Sequence, residues 1–259
     1  MRLSVALGYV LLALSLCPIS ICAQTPSKLA EGTYGGSESL TQKAAGSHWE
    51  MVKNLDGSFI VEITKSGERN QGRIVEKFGF TGTWKPILYS VEMHSRDSAQ
   101  PSMSLECSFL ADAISCDALH KGKLSKSSLR IAGPKVFLPP GFMTDMFWMM
   151  ATVCAQAERT PGKITNVAEV SVADDPDDSV LKLEVAESLP VAYVGQEDLK
   201  TALGTTRANK FRIKDMTVWT ADSGLLLALT SEGSDNGKRF GLSSLNDVTH
   251  RLLSTPIQR

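Results

Sequence analysis

The segments LECSF (Leu105–Phe109) and ISCDA (Ile114–Ala118) decide how this chain folds, because both alternate apolar and polar side chains. A hairpin that turns about Ala111 and Asp112 would place three apolar pairs face to face: Leu105 with Ala118, Cys107 with Cys116, and Phe109 with Ile114. The other face of that hairpin would be polar, and in an antiparallel pair such alternation fixes the register. The stretch therefore predicts two antiparallel strands in one defined register.

The same register brings two cysteines together. Directly opposed residues of antiparallel strands lie within disulfide reach, so we predict a Cys107–Cys116 bridge. The alternative is a pair of free, buried thiols. Cys154 lies in a strongly apolar segment, which favours inert burial over reactivity. None of these three cysteines forms a C-x-x-C pair or has the spacing of a zinc site.

Strand-like alternation extends along the chain on both sides of the hairpin. It is clear over residues 58–64, 87–94 and 181–186, with turn sequences such as Asn54–Gly57 and Ser234–Gly237 between apolar runs. Consecutive short strands with one polar face are typical of an antiparallel meander. No repeat of 20–50 residues is visible, which argues against a repeat array.

One segment breaks the strand pattern. After Pro139–Gly141, Thr144 can cap a helix that runs to about residue 159. Apolar side chains cover nearly all of its surface: Met146, Phe147, Trp148, Met149, Met150, Ala151, Val153, Cys154 and Ala157. A helix of this kind must be covered on nearly all sides, so we expect it to pack against the sheet.

The first residues predict export. Arg2 precedes an apolar run over residues 5–16, and Ala23 offers a small residue for cleavage, so residues 1–23 are interpreted as a signal peptide. An uncleaved anchor is the alternative, although the run is short and contains Pro18. Residues 24–46 are polar and rich in glycine and serine, which predicts a flexible segment before a single β domain over residues 47–259.

The balance of basic and acidic residues limits the classes of partner that this chain could bind. The chain has 27 basic and 28 acidic residues, and removal of residues 1–23 takes away Arg2 alone, leaving 26 against 28. This balance argues against a nucleic-acid partner. No further segment is long and apolar enough to span a membrane. The chain has no N-x-[S/T] sequon, which favours a bacterial protein, periplasmic or extracellular.

The sequence contains no local motif of an enzyme active site or of a metal site. The sequence lacks G-x-S-x-G, H-E-x-x-H, P-loop and G-x-G-x-x-G motifs, and its four histidines are far apart. The acidic stretch Asp174–Asp178 could hold calcium, but its central Pro176 suits a solvated turn. Met143, Met146 and Met149 could bind Cu(I), but methionine also fills irregular cores. We predict no cofactor, no metal and no enzymatic activity.

These features together predict a mainly β protein with one or two helices. The antiparallel sheet would be strongly curved, a half-barrel, with the apolar helix packed in or over its concave face. This layout resembles the LolA- and LolB-type lipoprotein carriers of the bacterial envelope and similar exported β families. The resemblance implies a bent sheet around an apolar cavity that binds acyl chains without catalysis. It is one of layout, so no functional residue is carried over from it.

Three functional hypotheses follow. The first is an exported binding protein that holds a hydrophobic or lipid-like ligand, with Met146, Phe147, Met150 and Val153 as an apolar lid. The second is a structural or protein-interaction domain of the envelope with a filled core. The third is a hydrolase whose site is assembled from distant residues. A cavity that is open favours the first hypothesis, and one that is packed favours the second.

Overall fold

The computed structural model describes residues 26–37, 46–66, 72–96, 98, 100–120, 122–137, 146–172, 182–231, 239–247 and 252–253. Within them lie fifteen strands and one helix. These are β1 (Ser27–Ser37), β2 (Gly46–Lys53), β3 (Phe59–Ser66), β4 (Arg73–Phe80), β5 (Pro86–His94), β6 (Pro101–Phe109), β7 (Ala113–His120), β8 (Lys123–Arg130), β9 (Lys135–Phe137), α1 (Met146–Gln156), β10 (Ile164–Val172), β11 (Leu183–Thr201), β12 (Gly204–Ile213), β13 (Met216–Thr220), β14 (Leu226–Ser231) and β15 (Arg239–Asp247).

All fifteen strands belong to one sheet, in the order β8-β7-β6-β5-β4-β3-β2-β1-β15-β14-β13-β12-β11-β10-β9. Neighbouring strands are antiparallel except for β9 and β10, which run parallel. The strands β1 and β15, from opposite ends of the chain, pair in the middle of the sheet. The predicted mainly β, antiparallel architecture with one or two helices is therefore confirmed.

The curvature of the sheet follows from its connections. Strands β8 and β9 lie at opposite edges, yet only residues 131–134 join them. Laid flat, fifteen strands would separate these edges by roughly 65 Å, whereas the link spans at most about 18 Å. The sheet must therefore curl until its edges approach each other, which produces the predicted half-barrel.

Lys135 stabilises the place where the edges approach. Its side chain is buried, and its Nζ donates to the carbonyl oxygens of Ala111 at 2.8 Å, Ile131 at 3.0 Å and Gly133 at 3.4 Å. Burial lowers the pKa of this ammonium, while nearby Asp112 acts in the opposite direction. A second contact across the gap joins the Leu183 backbone N–H to Ser127 Oγ at 3.2 Å.

The predicted hairpin has the expected register. Cys107 pairs with Cys116, Leu105 with Ala118, and Phe109 with Ile114. The turn lies at the expected place, since Leu110 N donates to Ala113 O at 2.9 Å. The Cys107–Cys116 disulfide is formed, and both cysteines are fully buried. The prediction of this bridge is confirmed.

The N-terminal prediction needs a correction. Residues 27–37, expected to be part of a flexible segment over residues 24–46, form strand β1. Tyr34 is 1% exposed, and its hydroxyl donates to the Leu226 carbonyl at 2.8 Å. Gly32, one of the glycines that make this stretch resemble a linker, has a packing role: a Cβ on it would lie 2.5 Å from the Trp49 ring. The expected signal peptide, residues 1–23, lies outside the described residues.

Helix α1 begins at Met146 and ends at Gln156, within the predicted range of 144–159. Trp148 is its anchor, with ring centroids 5.0 Å from Trp49, 5.7 Å from Tyr34 and 5.9 Å from Trp84. At the other end of the helix, the Gln156 carboxamide bonds both the N–H (2.9 Å) and the C=O (3.0 Å) of Lys135 in β9. The helix thus fills the aromatic part of the concave face.

Trp84 connects two turns across the interior. It has a φ of +64°, in the left-handed region, and lies in the turn between β4 and β5. Its ring packs on Gly224, in the turn between β13 and β14, where a Cβ would lie 2.6 Å from the indole. Only glycine leaves room for this contact, which couples the two halves of the sheet next to α1.

Candidate functional site

Two of the residues predicted to form a lid, Met150 and Val153, belong to the packed interior. Met150 is 2% exposed and Val153 fully buried, both within the hydrophobic core. Phe147 is half-buried and stacks on Tyr34, with ring centroids 4.5 Å apart. The side chain of Met146 lies outside the described residues. A ligand would reach Met150 or Val153 only by displacing protein side chains, so their role as a ligand-binding lid stays a prediction.

A different part of the concave face carries half-buried apolar side chains. Directly paired positions of six neighbouring strands form one row, which we call the rim row: Lys65, Ile74, Met93, Met103, His120 and Lys123. Ile74, Met93 and Met103 are partly buried and pack against the core. Paired positions project to the same face, so these side chains form a continuous strip across the sheet.

Burial increases away from the rim row. The next row along the strands contains Ile63, Glu76, Val91 and Leu105, of which the three apolar residues are at most 7% exposed. The row after it contains Val61, Phe78, Tyr89 and the disulfide. Beyond it lies Phe80, whose ring approaches Trp148 of α1 at 6.3 Å. The rim row is thus the least buried edge of this inner face.

A charged pair lies at one end of the rim row. The Glu76 side chain is fully buried, and its Oε2 accepts a hydrogen bond from Lys65 Nζ at 2.9 Å. The Lys65 side chain is 29% exposed, so its ammonium lies between the core and solvent. Tyr89 Oη donates to Glu76 Oε1 at 3.5 Å, and burial, followed by the neighbouring carboxylate, raises the pKa of this phenol. A charged pair within an apolar face is costly to bury, and such groups cluster at functional sites.

The strand pattern contains the signal for this pair, although the sequence interpretation did not use it. Lys65 continues the apolar alternation of Phe59, Val61 and Ile63. Glu76 interrupts a second alternation, between Ile74 and Phe78. Two adjacent strands thus place opposite charges on their apolar faces. Only the register between β3 and β4 shows that the two charges meet.

The structure also places a possible set of metal ligands on the outer face. His48 Nε2 lies 3.9 Å from Glu31 Oε2 and 3.9 Å from Glu50 Oε1. Lys28 Nζ donates to the same two carboxylates, at 2.6 Å and 3.2 Å. These contacts, first with Glu31 and then with Glu50, raise the pKa of Lys28. The chain's own cation therefore already lies where a metal would bind.

The structure also describes some of the other residues that the sequence singled out. Cys154 is a free, fully buried thiol, and burial raises its pKa, in agreement with the expected inert state. His94, one of the four histidines, has its Nε2 3.0 Å from Glu92 Oε2. The acidic stretch Asp174–Asp178 and residue Met143 lie outside the described residues. Among the helices that the structure describes, none is both long and apolar enough to cross a membrane.

A solved structure shares a weak likeness with this chain. No family model matches the chain, and no curated protein matches it. A crystal structure of a β-barrel-like protein with the domain of unknown function DUF1849, from Brucella abortus, is similar at 11% identity and a TM-score of 0.32. The match covers 85% of this chain and 98% of that one. At this TM-score, the likeness carries no argument about this protein.

Proposed function

We propose that this chain is a non-enzymatic binding protein that holds the apolar part of a lipid-like ligand on the rim row of its half-barrel. The observation that carries the proposal is the strip of half-buried Ile74, Met93 and Met103 beside a packed core. Ligand sites are mostly apolar, with a few placed polar groups. Lys65 and Glu76 would supply those groups at one end of the strip.

The rim row suits ligand binding better than the helix does. Trp148, Met150 and Val153 of α1 already pack against protein, so α1 acts as a plug in this proposal. Ile74, Met93 and Met103 keep part of their apolar surface outside the core. A ligand that covered them would gain hydrophobic stabilisation without dismantling the aromatic cluster.

The proposal places the protein outside the cytoplasm, in the bacterial periplasm or in the extracellular medium. The Cys107–Cys116 disulfide supports this compartment, because disulfides persist where conditions are oxidising. The apolar run over residues 5–16 supports it independently as a secretion signal.

A second candidate is a protein-interaction domain of the envelope with a filled core. The packing of Trp148 among Tyr34, Trp49 and Trp84 favours it, because this part of the concave face is occupied by protein. In that case, the rim row would be ordinary partly exposed surface, and the functional contact would lie elsewhere on the molecule.

Native mass spectrometry of the chain purified from an exporting host tests the proposal. We expect an acyl lipid to co-purify with the wild type and to be lost from Met103→Asp, which puts a charge into the strip. Leu124→Asp is the matched control, because Leu124 is 85% exposed. It should retain the lipid. A chain that remains without ligand after incubation with phospholipids and fatty acids would refute the proposal and favour the interaction domain.

A further inference from the structure

We infer that the ligand is a single-chain anionic amphiphile, a long-chain carboxylate, with its carboxylate at Lys65 and its chain along Ile74, Met93 and Met103. This inference rests on the proposed function and names the chemical class and the orientation of the ligand. The register of β3 to β6, which places a cation at one end of an apolar strip, carries it.

Lys65 can accept a second anion. Its ammonium has three N–H donors, and Glu76 takes one of them at 2.9 Å. The side chain is 29% exposed, so a ligand carboxylate can approach from the solvent side while Glu76 holds the ammonium from the core side. Hydrogen bonds between charged groups are stronger than neutral ones, and a partly buried position reduces their screening.

The charges along the rim row select against a cationic head group. Lys65 lies at one end and Lys123 at the other, with His120 beside Lys123, and the row contains no acidic residue. Glu76 belongs to the next row, where it is fully buried and bonded to Lys65. Among the described residues of the rim row, an ammonium head group would therefore meet only like charge.

The width of the strip limits the ligand to one chain. The strip is one side chain wide, because the row below it, with Ile63 and Val91, is fully buried in protein. From Lys65 to Met103 it crosses three strand spacings, roughly 14 Å. His120 then ends the apolar part. A single acyl chain fits a strip of this width, whereas two parallel chains would need a second row of partly exposed apolar side chains.

Displacement of the neutral probe N-phenyl-1-naphthylamine from the full chain tests the inference. Lauric acid, lauryl alcohol and laurylamine present three head groups on the same chain length. We expect lauric acid to bind roughly tenfold more tightly than the alcohol, as one charge-assisted hydrogen bond would give. The amine should bind less tightly than the alcohol.

Variants of the charged residues test where the head group of the ligand binds. The double variant Lys65→Met/Glu76→Gln removes both charges, so that no buried carboxylate loses its cation. It should bind acid and alcohol equally, while Lys65→Arg keeps the preference. Lys123→Met is the matched control and should retain most of the preference for the acid.

The outcomes separate this inference from the proposed function. Equal binding of acid and alcohol by the wild type would overturn the inference and leave the proposed function standing. Loss of the acid preference in Lys123→Met rather than in the double variant would overturn the assigned orientation. No displacement of the probe by any of the three compounds would contradict the proposed function itself.

Discussion

The Lys65–Glu76 pair makes a quantitative prediction about stability. Replacing Lys65 by Met removes the ammonium 2.9 Å from a carboxylate that is fully buried. Breaking a buried ion pair by removing one partner costs about 3–5 kcal/mol. Because the Lys65 side chain is 29% exposed, we expect the lower end, about 3 kcal/mol. For a domain of this size that loss corresponds to a decrease in Tm of roughly 6–12 °C.

The companion variants separate charge from packing. In Glu76→Gln the buried charge disappears and Lys65 can still reach water, so we expect a loss of about 1 kcal/mol in unfolding free energy. In the double variant Lys65→Met/Glu76→Gln no charge remains to be compensated. The double variant should lose about 2 kcal/mol less unfolding free energy than the two single variants lose together. This difference is in the range found for residues in direct contact.

Urea unfolding at pH 7, followed by both fluorescence and circular dichroism, measures these differences. The two probes should report coincident transitions, which would justify a two-state treatment. The disulfide must stay oxidised throughout. If Lys65→Met unfolds at the wild-type midpoint, or if the two single losses simply add, then Lys65 does not compensate the buried carboxylate.

Three further predictions concern other parts of the molecule. Native Cys154 should resist iodoacetamide because burial raises its pKa, and it should react once the chain is unfolded; labelling of the folded protein would contradict its position. The Cys107→Ala/Cys116→Ala variant should lose about 2.5 kcal/mol of unfolding free energy from loop closure, and an unchanged urea midpoint would contradict this. Gly224→Ala should cost at least about 2 kcal/mol, because alanine is strained at a φ of +100° and its Cβ would also meet the Trp84 ring. Trp84→Ala in the same chain should remove only the part of the cost that comes from the ring contact; strict additivity in urea unfolding would contradict that contact.

Local patterns predicted much of the fold. The register of the Cys107–Cys116 hairpin follows from alternation over a few residues, and the structure has it residue by residue. The helix follows from a continuous apolar segment, and its bounds lie within the predicted range. In both cases, the residues that determine the structure are neighbours in sequence.

The remaining features depend on contacts between distant residues. Strand β1 was interpreted as a linker because Gly32 and its neighbours lower the strand signal, but Gly32 is needed where Trp49 packs on the backbone. The parallel pairing of β9 with β10 brings together segments separated by the helix. The Lys65–Glu76 pair depends on the register between β3 and β4, which neither strand encodes alone.

The pairing of β1 with β15 has a consequence for how the chain folds. Residues 27–37 take their place beside residues 239–247, so the centre of the sheet closes only when both ends of this chain are present. During synthesis, the strands from β1 to β8 can form first, with β1 as an unpaired edge that is open to other chains. Non-local pairing of this kind slows folding. A chain cut within residues 138–145 should therefore give two fragments that each expose an edge, and that recover the full sheet only by pairing with each other.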